Sequence, residues 1–166
     1  MAGRPMGKSP PCKKLITEIL KGTRKRANTR SSTHRLGLYN FSQNALPLLL
    51  SSVSQTPHPP SLIITGATAS MRGSALCGSF AAGKFAMRAL GQSLAREFGP
   101  KGVHVAHAII DGGIDIPRTK HMTMNNGVED GKISPDGIAD AYWHLHTQPR
   151  STFTWEIDIR PYVEKW

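Results

Sequence analysis

The chain has 166 residues, enough for one domain around a single apolar core. Its longest apolar run, residues 45–50, falls far short of the roughly 20 residues that a membrane span requires, so a soluble protein is expected. The formal charge is +10, yet residues 1–38 hold ten Lys and Arg against the single acid Glu18, a net of +9, and the remaining 128 residues carry only +1. The basicity therefore belongs to a head, and the body is electrically ordinary.

Cys12 and Cys77 stand 65 positions apart and outside any Cys-x-x-Cys pattern. That spacing suggests neither a disulfide framework nor a zinc site, and a reducing, cytoplasmic compartment is the expectation. Residues 1–36 read as a basic, disordered extension, relieved by Leu15-Ile16 and Ile19-Leu20, which would give a short amphipathic helix between about Cys12 and Gly22. Such a head is open to three uses: a nucleic-acid arm, an organelle transit segment or a membrane-surface patch. The plain alternative is a solvated extension, and the lack of aromatic residues among the basic ones argues against nucleic acid.

From residue 37 to 166 helices and strands alternate. Tyr39, Phe41, Ala45, Leu48 and Leu49 recur at helical spacing over 38–52, with Pro47 predicting a kink or a late start. Residues 54–60, rich in Pro, Ser and Thr, read as a loop. Ser61–Thr65 is a continuous Ile-rich run, as in strands buried on both faces of a parallel sheet. A second helix is predicted over 79–98, stopped by Gly99-Pro100-Lys101-Gly102, and a second buried strand over 103–110. After Asp111-Gly112-Gly113 an irregular polar stretch to Ile133 suggests an active-site loop or lid. Ser134-Pro135 starts a third helix, running to about His146, and residues 153–159 alternate as a last strand. This order predicts an α/β, Rossmann-like doubly wound parallel sheet with helices on its faces.

Chemistry concentrates in Ser79-Phe-Ala-Ala-Gly-Lys84. Phe80 and Lys84 lie four apart on one helix face. A tyrosine at the first position would be acidified by the lysine and could exchange a proton with a carbonyl or alcohol; phenylalanine cannot. Metal binding finds no support in the histidines, because His104 and His107 fall on opposite faces of a strand and His144 and His146 diverge on a helix. Among the aromatic residues, Tyr142, Trp143, Trp155 and Trp166 read as core or terminal anchors. The helix over 79–98 carries small residues for close packing and would expose a second row, Phe85, Arg88 and Gln92.

Strand 61–65, the small-residue turn from Gly66 to Gly73, the Phe80/Lys84 pair and the strand ending in Asp111-Gly112-Gly113-Ile114 resemble, in order and spacing, the C-terminal half of a short-chain dehydrogenase/reductase. The resemblance covers residues 37–166 and implies hydride transfer between NAD or NADP and a small carbonyl or alcohol substrate. It places Lys84 on the nicotinamide ribose and Phe80 at the tyrosine position. The family serine falls on Ala67, thirteen residues before Phe80, with Thr65, Thr68 and Ser70 as nearby hydroxyls; the asparagine falls on His34. Asp111, Gly112, Ile114 and Ile116 correspond to the segment that meets the nicotinamide. The Gly-rich pyrophosphate turn of this family has no counterpart in the chain.

In the family's strand order this chain would supply only strands 5-6-7, an incomplete sheet whose inner edge is unpaired. The implied expectation is a truncated domain with weak or no activity of its own. The alternative is a non-catalytic protein that pairs with itself through helices 38–52 and 79–98, which in the family build a dimer interface that the C-terminal tail can also reach.

Overall fold

The computed structural model describes residues 36–165, an α/β unit of three helices and three strands. Helix α1 occupies residues 36–52, β1 is Ser61–Thr65, α2 Gly78–Phe98, β2 His104–Ile110, α3 Pro135–Thr147 and β3 Glu156–Ile159. The basic head, His34 and Trp166 lie outside the described residues.

The strands form one parallel sheet in the order β1-β2-β3. Leu62 pairs in register with Val105, and Ala108 with Ile157. Every residue of β2 is buried, as a central parallel strand covered on both faces requires. On one face Leu62, Ile64, Val103 and Val105 join Leu46 of α1 in the core, with Met87, Leu94 and Phe98 of α2 packed against them. On the other face α3 brings fully buried Leu145 over the sheet. The result is three layers, matching the fold class expected from the sequence.

Close approach of α2 to the sheet depends on its small residues. Ala81, Gly83 and Gly91 are buried, and a Cβ on Gly91 would stand 2.5 Å from Ile64 Cδ1 and 3.3 Å from Trp155. The helix ends in a short 3-10 turn, after which Gly102 takes φ +89°, a conformation that suits glycine. Ser134 caps α3 by accepting the Gly137 amide, and Pro135 fills the first helical position.

Several expectations are corrected. Helix α1 begins ahead of Pro47 and passes through it; Pro47 lies on the exposed side, where water can bond the carbonyl left without its N–H partner. Strand β3 starts at Glu156 instead of 153, because the amide of Thr154 is held by the Gln148 side chain and the ladder to β2 opens only at the Trp155 carbonyl. Arg88 does not join an exposed row with Phe85 and Gln92, since it turns inward to bind Glu156. Trp143 is no core anchor: it is 64% exposed.

Residues 111–133 are folded back, with 3-10 turns at Pro117–Thr119 and Asn125–Gly127. A β-bridge joins Ile114 to Ile133, and Lys132 Nζ donates to the Thr119 carbonyl at 3.0 Å.

Candidate functional site

In open parallel α/β sheets the ligand crevice lies beyond the C-terminal ends of the strands. Here that end is made by Thr65 and the Gly66–Ser70 turn after β1, by Asp111–Ile114 after β2, and by the face of α2 that carries Phe80 and Lys84.

Lys84 reaches across the end of β1. Its Nζ donates to the Thr65 carbonyl at 2.9 Å and stands 5.9 Å from the centre of the Phe80 ring, one turn earlier on α2. Partial burial lowers its pKa from the ordinary 10.5. Main-chain bonds from His104 N to the Pro60 carbonyl and from Gly66 N to the Ala108 carbonyl point the even-numbered residues of β1 at β2. The main-chain groups of Ser61, Ile63 and Thr65 therefore face the outer edge of the sheet, which no strand among the described residues covers. Lys84 caps one of them.

The hydroxyls nearest the expected serine position are dispersed. Ala67 has none. Ser70 is fully buried and its Oγ accepts the Ala67 amide, so it serves the turn. Thr65 Oγ1 is hydrogen-bonded to the Tyr142 hydroxyl at 2.8 Å on the α3 side. Thr68 donates to Asp111, and Arg160 bridges Asp111, at 3.2 Å, to Asp158. Asp111, 6% exposed, is thus taken up by an ion network that ties the end of β2 to the end of β3.

Beyond β2 the chain folds onto itself. Gly112 sits against Pro161 and Glu164, and Gly113 against the Met124 thioether. The bridge to Ile133 uses the Gly113 carbonyl and the Asp115 amide, so the main-chain groups of Ile114 point the other way. The Ile114 carbonyl accepts the Thr119 hydroxyl, and the Ile116 amide donates to that same side chain.

Behind Lys84 lies a polar chain that the sequence did not reveal. Arg88, one turn along α2, donates to both oxygens of Glu156 at 2.6 and 2.8 Å. His107 Nδ1 lies 2.9 Å from the same carboxylate. Burial lowers the His107 pKa, against the opposing pull of Glu156; a neutral ring then donates from Nδ1, and its buried Nε2, facing Gly66, has no hydrogen-bond partner among the described residues. Hydrogen bonds from Arg88 hold the Glu156 carboxyl below its ordinary 4.5. Histidine and glutamate sit 49 positions apart, and only the β2–β3 register brings them together.

Three further histidines are structural in position. His104, on the opposite face from His107, stacks on Phe153 at 4.2 Å between ring centres, with its ring nitrogens 2.9 Å from the carbonyls of Leu145 and Thr154. His146 bonds Ser61, and His144 lies against Gln148. None of the described helices is long and apolar enough to cross a membrane.

No protein-family model matches the chain, and no curated protein does. Solved structures do. A short-chain dehydrogenase from Rhodopseudomonas palustris is 34% identical, with 84% of this chain matched to 51% of that one at a TM-score of 0.55. An alcohol dehydrogenase from the archaeon Thermococcus sibiricus, complexed with 5-hydroxy-NADP, is 20% identical over 85% of this chain and 56% of that one, at 0.64. A metagenomic short-chain oxidoreductase in complex with NADP is 21% identical over 75% and 46%, at 0.53. The fold is that of part of a short-chain dehydrogenase/reductase, and the chain spans about half the length of the structures it matches.

Proposed function

We propose that this chain carries the nicotinamide-facing part of a short-chain dehydrogenase/reductase, an NAD- or NADP-dependent oxidoreductase of small carbonyls and alcohols by descent, and turns over little or no substrate by itself. The observation that carries this reading is the placement of Lys84 at the end of β1 with Phe80, not a hydroxyl, one turn before it.

A nicotinamide dinucleotide finds only part of its needs met. Lys84 offers an amine to the ribose, and the outward-pointing amide of Ile114 offers a donor to the carboxamide, beside Asp111 and Gly112. The Ile114 carbonyl and the Ile116 amide are already taken by Thr119. For the pyrophosphate, the described residues hold no Gly-rich turn between a strand and a helix start. The residues present therefore do not fit the whole cofactor. The proton-transfer set is likewise reduced to its lysine, since Phe80 and Ala67 have no proton to give and Ser70 is sealed in its turn. Loss of a general acid alone costs about 10²–10⁴ in rate.

The test uses half of the cofactor. Reduced nicotinamide mononucleotide, which lacks the adenosine, should give a saturable fluorescence enhancement with the full chain, and Lys84→Met should abolish it while leaving the circular dichroism unchanged. No saturable change up to the solubility of the nucleotide would overturn the reading. So would NADPH consumption with simple aldehydes at the rate of a competent reductase, because the chain would then be an enzyme in its own right.

A second reading has its own support. Phe41, Leu48 and Phe85 are 59%, 70% and 42% exposed on α1 and α2. Between these helices runs a groove of about 410 Å³, lined by Tyr39, Leu46, Leu50, Leu90, Leu94 and Phe98 among others. Apolar exposure on two adjacent helices favours self-association through them.

A further inference from the structure

Lys84 has a chemistry of its own that does not depend on a nicotinamide. We propose that its amine is a carbonyl-capturing nucleophile that forms a reversible imine with small aldehydes.

The first ground is the lack of a counter-ion among the described residues. Ion pairs among the described residues occupy Arg88, Lys101, His107, Lys132 and Arg160, and none includes Lys84. Glu156, the carboxylate that serves this part of α2, gives both oxygens to Arg88 and shares one of them with His107. With no anion paired to it among the described residues, and beside an arginine that has taken the local one, this lysine has less to hold it charged than one paired with a carboxylate.

The second ground is the kind of contact the amine does make. Its hydrogen bond goes to a main-chain carbonyl, which accepts from a neutral amine as well as, more strongly, from an ammonium. Losing a proton therefore weakens the anchor of Lys84 without removing it, and in the neutral form the nitrogen is held in place with a lone pair free. A carboxylate partner would hold the charged form far more firmly. Burial works toward the neutral amine, and desolvation beside apolar surface is a recognised way to make lysine a nucleophile.

The third ground is location. The amine stands at the C-terminal end of a parallel strand, where small molecules reach such sheets, and remains partly exposed. Phe80 supplies an aromatic ring at 5.9 Å and no hydroxyl to compete for the nitrogen.

The step balances without oxidant or reductant. The nitrogen lone pair attacks the carbonyl carbon, the C–N bond forms and the carbonyl π electrons move to oxygen. A proton passes from nitrogen to that oxygen to give the carbinolamine. Loss of the hydroxyl with a proton, as water, leaves the C=N bond, so that amine and aldehyde become imine and water. Small aldehydes fit best, because the carbon must reach an amine already tied to Thr65.

The full chain is incubated with propanal and sodium cyanoborohydride, which traps imines as secondary amines, and the labelled lysines are mapped by peptide mass spectrometry over time. Lys101, which is paired with Glu97 and lies over the Phe98 ring, is the internal reference. Lys84 should be labelled severalfold faster than Lys101, because its partial burial favours the free amine. Its rate should also level off at lower pH. Equal or slower labelling of Lys84 would overturn the inference. Adding reduced nicotinamide mononucleotide separates this result from the reading above. Fast labelling without protection keeps the amine site and removes its ribose role, whereas slow labelling alongside a saturable fluorescence change does the reverse.

Discussion

Glu156 joins three elements through one carboxylate, and replacing it by glutamine isolates what that junction contributes. The side chain accepts two bonds from Arg88, at 2.6 and 2.8 Å, and lies 2.9 Å from His107 Nδ1. Side-chain exposures of 18% for Glu156, 31% for Arg88 and zero for His107 place the cluster between a surface pair and a buried one. Breaking a buried pair costs about 3–5 kcal/mol and an exposed one about 0–1 kcal/mol. Glutamine keeps one acceptor oxygen, so Glu156→Gln should lower stability by about 2–3 kcal/mol, read from urea denaturation at neutral pH.

The sign of the pH dependence follows from the shifts. The Glu156 carboxyl is held below 4.5, chiefly by the Arg88 hydrogen bonds. Its contribution is therefore present above the unfolded value and is lost as pH falls through the depressed folded one. His107 is pushed below 6.5, first by burial. Under acid the unfolded ring takes up a proton before the folded one does, so this contribution also declines as pH drops below about 6.5. Wild-type stability should fall in two stages, and the difference from Glu156→Gln should shrink only in the lower one. A loss under about 1 kcal/mol, or a difference that stays constant from neutral pH into the carboxylate range, would refute the reasoning.

Gly66→Ala would place a Cβ 2.3 Å from the buried Nε2 of His107. The fully buried ring has nowhere to retreat, so a loss of about 1–3 kcal/mol is expected, visible as a lower melting temperature; an unchanged melt would mean that the ring is free to move. Leu48→Glu sets a charge on the most exposed leucine of α1 and should shift sedimentation toward the monomer without altering the circular dichroism. A species of unchanged mass would remove self-association through α1 and α2.

What could be read from the sequence was local. Continuous apolar residues identified β1 and β2, Ser134-Pro135 marked the start of α3, and the small residues of α2 announced its close contact with the sheet. Lys84 and Phe80 could be paired because four residues make one helical turn. Arg88 could not be assigned correctly, because its inward turn depends on a carboxylate 68 positions away. Trp143 misled for the opposite reason. Its ring contacts His58 and His146, yet it remains outside the core, and hydrophobicity alone does not say which side of a helix the sheet will take. Thr68 and Asp111, 43 positions apart, are neighbours only because parallel strands end together.

The outer edge of β1 carries main-chain groups that no strand among the described residues pairs. Strands that end a sheet in natural proteins are commonly blunted by a lysine or proline within the strand, a bulge, or a covering element. Ser61–Thr65 has no such residue and, among the described residues, no covering strand; an amine from a neighbouring helix guards one of its carbonyls. An amine consumed by an aldehyde would no longer guard that carbonyl as it did before. Chemical modification at a single side chain would then be felt as a change in colloidal behaviour, with concentrated samples growing by strand addition where unmodified ones stay dispersed.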